Sequence, residues 1–103
     1  MSNAARVGDI SSGHDFCQPV KIVSGSQKVF INGKAAARVG DILEEHDCLG
    51  TYENHAPHVP VIATGSQKVF IDGRAAARVG DSVSCGVFGE SQIVTGSENI
   101  FFL

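Results

Sequence analysis

Short apolar runs alternate with glycine-containing turns along the whole chain, and this alternation occurs three times. In each unit an apolar run is followed by a Gly-Ser turn and then by a second run that is rich in β-branched and aromatic residues. The first runs are residues 20–23, 61–63 and 93–94, and the second runs are residues 28–31, 68–71 and 99–102. Runs of this length and composition between turn residues predict short strands, so an all-β fold is expected.

The second run of two units ends in a strong hairpin signal, Asn32-Gly33 in one and Asp72-Gly73 in the other. Both central residues of a type I′ turn need a positive φ angle, which Asn, Asp and Gly tolerate. An Ala-Ala-Arg-Val return strand then runs to Gly-Asp. Alanine favours helices, but the few residues between Gly33 and Gly40 cannot nucleate one. We therefore expect extended return strands whose small alanines let three of them approach a common axis.

One seventeen-residue pattern occurs twice and a third copy is split between the two ends of the chain. Residues 25–41 read GSQKVFINGKAAARVGD, and residues 65–81 read GSQKVFIDGRAAARVGD. The third copy begins with GSENIFF at residues 96–102, and its second half is NAARVGD at residues 3–9. This arrangement predicts one domain over residues 1–103 with pseudo-threefold symmetry and a closed ring. We expect the strand at 100–102 to pair with the strand at 4–7.

Three strands per unit is an odd number, which leaves two strand paths open. Either the long connection crosses the body, or one strand of each unit lies transverse to the others. The pattern of residues is compatible with both paths.

Charge and composition exclude several classes of function. The chain has 103 residues and a formal net charge of −3, so it lacks the basic surface typical of nucleic-acid binding. It has no apolar stretch of about 18 residues and no leader pattern, so no stable membrane insertion is expected. Three cysteines cannot all pair, which favours reduced thiols, with a metal as one possible partner, over a disulfide framework.

The three connections after each Gly-Asp, residues 10–19, 42–60 and 82–91, contain every histidine and cysteine of the chain. These residues are His14, Cys17, His46, Cys48, His55, His58 and Cys85. Imidazole nitrogen and thiolate sulfur are preferred ligands of Zn²⁺, and four of them make a closed structural site. The clustering therefore predicts one structural zinc where the loops meet.

The ligands of this site are predicted in part. His14, His46 and Cys48 are the first three candidates, and His58 and Cys85 compete for the fourth place. Cys17 is expected to pack as a small apolar residue, and His55 to face solvent.

Each Arg-Val-Gly-Asp segment carries an arginine and an aspartate that we assign to structure. We expect the carboxylate to cap backbone N–H groups at the start of the loop, and the arginine to pack or to pair across units. The pairs are Arg6 with Asp9, Arg38 with Asp41 and Arg78 with Asp81.

With GKAAARVGD at residues 33–41 and GRAAARVGD at 73–81, the chain resembles the PAAR-repeat family, which caps the central spike of type VI secretion systems and contractile phage tails. The usual proline of that family is replaced by Ala35, Ala75 and Asn3. The resemblance implies a small cone of short strands whose loops converge on a zinc-bound apex. It also implies that His14, the His46-x-Cys48 and Pro57-His58-Val59 elements, and Cys85-Gly86 match the metal loops of that family, which makes five candidates for four places.

The resemblance implies that the broad base of the cone sits on the blunt end of a trimeric β-helical spike, either VgrG-like or a phage tail spike. A pseudo-threefold chain can lie on the axis of such a homotrimer, one chain per trimer. The expected base contacts are Phe30, Phe70, Phe101 and Phe102. The protein would be made in the cytoplasm and exported at the tip of a contractile machine, where its sharp point pierces a membrane, or would form a virion tail tip. Effector proteins would bind it noncovalently.

Two other functions compete with this interpretation. A small zinc-dependent hydrolase needs an open metal position and a general base, and Glu44 and Glu45 are expected to form a solvated loop face instead. A free-standing zinc-binding adaptor would not need threefold repetition. We therefore predict a structural protein with no catalytic residues.

Overall fold

The computed structural model describes residues 1–13, 19–45, 59–85 and 89–103. These residues form nine short strands and no helix, which confirms the all-β prediction. The strands are β1 (Ser2–Asn3), β2 (Phe30–Ile31), β3 (Lys34–Ala35), β4 (Val61–Ile62), β5 (Phe70–Ile71), β6 (Arg74–Ala75), β7 (Ser82–Ser84), β8 (Glu90–Gln92) and β9 (Phe101–Phe102). Within the described ranges, no helix is long and apolar enough to cross a membrane.

Three equivalent hairpins form one end of the molecule, which we call the base. Strands β2 and β3 pair antiparallel, as do β5 and β6. Their turns have the predicted type I′ geometry, since φ is 54° at Asn32 and 78° at Gly33, and 55° at Asp72 and 78° at Gly73.

The third base hairpin is assembled from the two ends of the chain, β1 and β9. The predicted partners are right but the register is wrong: Phe101 and Phe102 pair with Asn3 and Ser2. Of the 4–7 segment, only Ala4 contributes, donating its N–H to the Ile100 carbonyl at 2.9 Å. The following residues pair with other units instead, so they are not available to this strand.

The return strands of the three units meet at a central axis. The N–H of Ala5 donates to the carbonyl of Ala77, that of Ala77 to Ala37, and that of Ala37 to Ala5, each at 3.0 Å. All three alanines are fully buried. This cyclic set of hydrogen bonds confirms the predicted axis. It also shows how three strands per unit are accommodated. Each return strand leaves its own hairpin and pairs with both other units.

Beyond the axis, six extended segments close into a ring, which removes exposed strand edges. The pairs around the ring are Ile10–Lys21, Ile22–Leu43, Ile42–Val61, Ile62–Val83, Val83–Ser91 and Ser11–Ile93. Inside the ring lies an apolar cluster, the ring core, which contains Ile22, Leu43, Ile62, Val83, Ile93 and the axial Ala5, Ala37 and Ala77. Successive strand residues face opposite sides, so the neighbouring Ala4, Ala36 and Ala76 enter a second cluster, the base core, with Ile31 and Ile71.

The molecule is elongated along one direction and nearly equal in the other two, with extents of 40, 24 and 21 Å. Two similar short dimensions are expected of a body built around a threefold axis. The small all-β cone that the sequence predicts agrees with this shape.

Candidate functional site

All three long connections leave the ring at the same end. In a closed ring of six antiparallel segments, neighbouring segments run in opposite directions. The loops that join the first segment to the second, the third to the fourth and the fifth to the sixth therefore leave the ring at the same end. Each connection begins as a paired hairpin: Ser11 N–H donates to the Val20 carbonyl, Leu43 N–H to Pro60, and Cys85 N–H to Gly89, at 2.9 to 3.0 Å. The described beginning and end of each connection therefore lie at the end of the ring that is away from the base.

Most of the predicted metal ligands lie outside the described residues, namely His14, His46, Cys48 and His58. Cys17 and His55 lie outside them too. Among the described residues, no group of three His, Cys, Asp or Glu side chains could hold a metal ion. A zinc site therefore requires side chains from the loops themselves, and it stays a prediction.

Cys85 is the predicted ligand that the structure does describe. It follows β7 at the loop end of the ring and is buried, with 4% of its surface exposed. Burial raises the pKa of its thiol, because a thiolate is poorly solvated there. A bound cation would reverse this preference, since metal ligation requires the thiolate. A buried thiol at the loop end of the ring is a donor that structural zinc accepts.

Glu44 and Glu45 are exposed, as expected for a solvated loop face. Glu44 also has a structural contact, because its carboxylate accepts the Lys21 backbone N–H at 2.9 Å. This hydrogen bond holds the Glu44 carboxylate at the edge of the ring.

Each predicted Arg and Asp pair forms a buried latch between the axis and the ring. The backbone N–H of the arginine donates to the aspartate Oδ2 at 2.7 to 2.8 Å, which confirms the predicted capping. The guanidinium also binds both carboxylate oxygens of the same aspartate. The main ion pair therefore lies within a unit, and pairing across units is a second contact made by two of the arginines.

These aspartates are buried and accept hydroxyl hydrogen bonds from neighbouring segments. Thr95 donates to Asp9 at 2.9 Å, and Ser24 and Thr64 make the equivalent bonds to Asp41 and Asp81. Burial by itself raises the pKa of Asp9, but the hydrogen bonds from Arg6 and Thr95 outweigh it and lower the pKa below the ordinary value.

Three phenylalanines occupy equivalent outward positions on the base hairpins. Phe30, Phe70 and Phe101 have 59%, 61% and 43% of their surface exposed. Phe102, the fourth predicted contact, instead stands where the other units have Ile31 and Ile71, and it packs against the base core. The base therefore presents one exposed aromatic ring per unit.

Sequence reasoning missed the serines of the Gly-Ser turns, which are nearly fully buried: Ser26, Ser66 and Ser97. Each hydroxyl accepts two backbone N–H groups of the following turn, as Ser26 does from Lys28 and Val29 at 3.0 and 2.9 Å. The preceding glycines are also required, since a Cβ at Gly65 would lie 2.8 Å from the Ala76 carbonyl. The identical Gly-Ser in all three units was the signal that could have identified them.

The family model for the PAAR motif matches residues 2–50 and 53–102, which is nearly the whole chain in two copies. A search of curated proteins found no match.

Proposed function

Because this chain belongs to the PAAR-motif family, we propose that it caps the blunt end of a trimeric β-helical spike and forms the point of that spike. Proteins of this family are structural spike-tip proteins of type VI secretion systems or related phage tails, and no enzymatic role is known for them. Such a protein acts at the tip of the contractile machine.

The observation that supports capping is the closed alanine triangle together with one exposed phenylalanine per unit. A homotrimer presents the same surface three times around its axis, and a partner with matching threefold symmetry can contact all three copies alike. Exposed aromatic residues are frequent at the centre of protein interfaces. Phe30, Phe70 and Phe101 are thus suited to cover the apolar end of one trimer.

The zinc part of the proposal concerns the loop end. The ring core ends near Val20 and Pro60, and the loops beyond it are expected to need a further source of stability. A single Zn²⁺ would be held by four of the five candidate ligands, which are His14, His46, Cys48, His58 and Cys85. Bound structural zinc supplies folding free energy on the order of 10 kcal/mol. A narrow end that is stiffened in this way could pass through a membrane when the sheath contracts.

Capping is tested by measuring the stoichiometry and affinity of the complex with a trimeric β-helical spike protein. We expect one chain per trimer, and we expect the combined variant Phe30→Ser, Phe70→Ser and Phe101→Ser to lose binding. Val23→Ser with Val94→Ser is the matched control, because these valines are about as exposed but lie on the ring. A different stoichiometry, or equal loss in the control, would contradict capping and favour a free-standing adaptor.

The zinc proposal is tested by metal analysis and thermal melts of the purified protein. We expect about one Zn²⁺ per chain and a lower melting temperature in excess chelator. Cys85→Ser should reduce the zinc content, whereas Cys17→Ser should leave it unchanged. A melting temperature that chelation does not alter would defeat the zinc proposal.

A further inference from the structure

The turn of the first base hairpin is an asparagine followed by a glycine, Asn32-Gly33, and both residues are exposed. This pair is chemically labile in water, because the glycine nitrogen has no neighbouring side chain to shield it. That nitrogen attacks Cγ of the asparagine, ammonia leaves, and a five-membered cyclic imide forms. Water then opens the imide at either carbonyl, which gives aspartate or isoaspartate. One water is consumed and one ammonia released, without oxidation or reduction.

Three hydrogen bonds hold the Asn32 carboxamide in the folded protein. Its oxygen accepts from Arg6 Nη1 at 3.1 Å and from the Ser97 hydroxyl at 2.6 Å. Its nitrogen donates to Asn99 Oδ1 at 2.9 Å. All three partners belong to the split third unit, so the carboxamide is tied to a neighbouring unit through both of its polar atoms.

The turn itself also keeps the two reacting atoms apart. The imide ring closes only when the Gly33 nitrogen is eclipsed with Cβ of Asn32 about the Cα–C bond. In a type I′ turn, ψ at the first central residue is about 30°, which places that nitrogen nearly opposite to Cβ. The φ angles of 54° at Asn32 and 78° at Gly33 match this turn type. The hairpin turn must therefore open before the new bond can form.

We propose that Asn32 is a deamidation site that the folded base hairpin keeps closed, and that modification proceeds when this hairpin opens transiently. The hairpin strands β2 and β3 have two residues each, and small exposed elements open more readily than the whole domain unfolds. Each hydrogen bond to the carboxamide adds to the free energy of opening, so Arg6, Ser97 and Asn99 control the rate. This chemistry is independent of the proposed capping function.

The second hairpin indicates which product the fold can accept. Asp72 stands where Asn32 stands in the first hairpin, and it accepts from Arg38 Nη1 at 2.8 Å within the same type of turn. An aspartate in place of Asn32 can therefore keep the turn and its contact with Arg6. Glu98 lines the same cleft and repels a second carboxylate, so no gain in stability is expected. Isoaspartate adds a main-chain carbon to a two-residue turn and cannot keep the hairpin.

The site is tested by incubating the full chain at mildly alkaline pH, folded or in urea, and mapping its peptides by mass spectrometry. We expect full conversion of Asn32 in urea and a rate at least about tenfold lower in the folded protein, because opening breaks several hydrogen bonds. Asn3 and Asn99 are internal controls, since the side chains of Ala4 and Ile100 hinder the attack. Equal rates at Asn32 in both samples, or conversion of Asn3 as fast as Asn32 in urea, would overturn the proposal.

Variants of Asn99 test the control by the neighbouring unit. Asn99→Ala removes the acceptor of the Asn32 amide and should raise the folded-state rate about fivefold, whereas Asn99→Asp keeps an acceptor and should not. Asn99 is exposed, so both variants are expected to fold. The rate in urea should be the same for both. An unchanged folded-state rate in Asn99→Ala, including no conversion at all, would contradict the proposal.

Asp72→Asn builds the same labile pair into the second hairpin. Lys28 occupies the place of Asn99 in the neighbouring unit there, so the introduced amide lacks the acceptor that Asn32 has. We expect this amide to be converted faster than Asn32 in the same folded sample, and equally fast in urea. A slower folded-state conversion at the introduced amide would refute the role assigned to Asn99.

The two products are separated by chromatography and compared by NMR. Phe30 and Ala35 are paired across the hairpin, so their nuclear Overhauser contact reports on it. We expect this contact to persist in the aspartyl product, as in the variant Asn32→Asp, and to be lost in the isoaspartyl product. Loss in the aspartyl product, or retention in the isoaspartyl product, would overturn the link between the turn and the modification.

Discussion

The base and the loop end of this molecule are built from the same three units in opposite ways. At the base and the axis, the units agree almost residue for residue, from the Gly-Ser turn through the hairpin to Arg-Val-Gly-Asp. At the loop end, the connections 10–19, 42–60 and 82–91 differ in their residues, and the second has 19 residues whereas the other two have 10 each. The repeated half can build a symmetric scaffold only if each unit meets its neighbours alike. The proposed structural zinc would need four protein ligands, which three identical loops could not supply equally.

The two halves are therefore stabilised by different interactions. The repeated half is held by the alanine triangle, two apolar cores and three buried Arg and Asp latches. The loop end has the ring core on one side only. Substitutions in the repeated half should therefore lower the stability of the whole domain, and chelation should act first on the loop end.

The largest effect is expected at the latch of Asp41. Asp41→Ala leaves the largely buried Arg38 and its backbone N–H without their carboxylate, which should cost on the order of 3–5 kcal/mol in the free energy of unfolding. Urea denaturation measures this loss. Asp72→Ala is the matched control, because Asp72 binds the same arginine at the surface. A similar loss in both variants would show that the buried latch has no special role.

The axis should be the next most sensitive place. Ala37→Leu adds bulk where three strands approach each other, and overpacking of this kind should cost about 1–3 kcal/mol. Ala63→Leu makes the same change at an exposed ring position and should leave the melting temperature nearly unchanged. If both variants melt alike, the alanine triangle is not tightly packed.

Acid should weaken the junction between the two halves through Asp9. Its pKa is lowered in the folded protein, so it contributes stability above its ordinary pKa of 3.8, and that contribution is lost as the pH falls through the lowered value. Thermal melts between pH 5 and strong acid should show a falling melting temperature, with a shallower slope in Asp9→Asn. Parallel slopes in the two proteins would refute this role of Asp9.

The smallest effect on stability is expected at the outward phenylalanines. Phe70→Ser should change the free energy of unfolding by no more than about 0.5 kcal/mol, because most of the ring is in water. Ile71→Ser, one residue further along the same strand, should destabilise strongly, since Ile71 lies in the base core. Equal destabilisation would mean that Phe70 supports the fold and is not reserved for a partner.

Local features of the fold were predictable because short-range chemistry decides them. Asn32-Gly33 and Asp72-Gly73 predicted their hairpins, since positive φ angles are easy for these residues. The alanines predicted the crowded axis because their small side chains let three strands approach each other closely. The inward position of Phe102 was missed, although its alignment with Ile31 and Ile71 already indicated it. The assembly of the metal loops stays a prediction, because four of its five candidate residues lie outside the described part of the chain.

By itself, the sequence determined the number of units, the split of the third unit and the type of each turn. The repeats can be read directly from the residues, and the conformation of a turn depends on a few neighbouring residues. The tertiary structure alone decided that β9 pairs with Ser2–Asn3, that the ring consists of six antiparallel segments, and that each return strand pairs with both other units. These contacts join residues far apart in the chain. They follow from the geometry of the whole ring, whose register and partners no local pattern encodes.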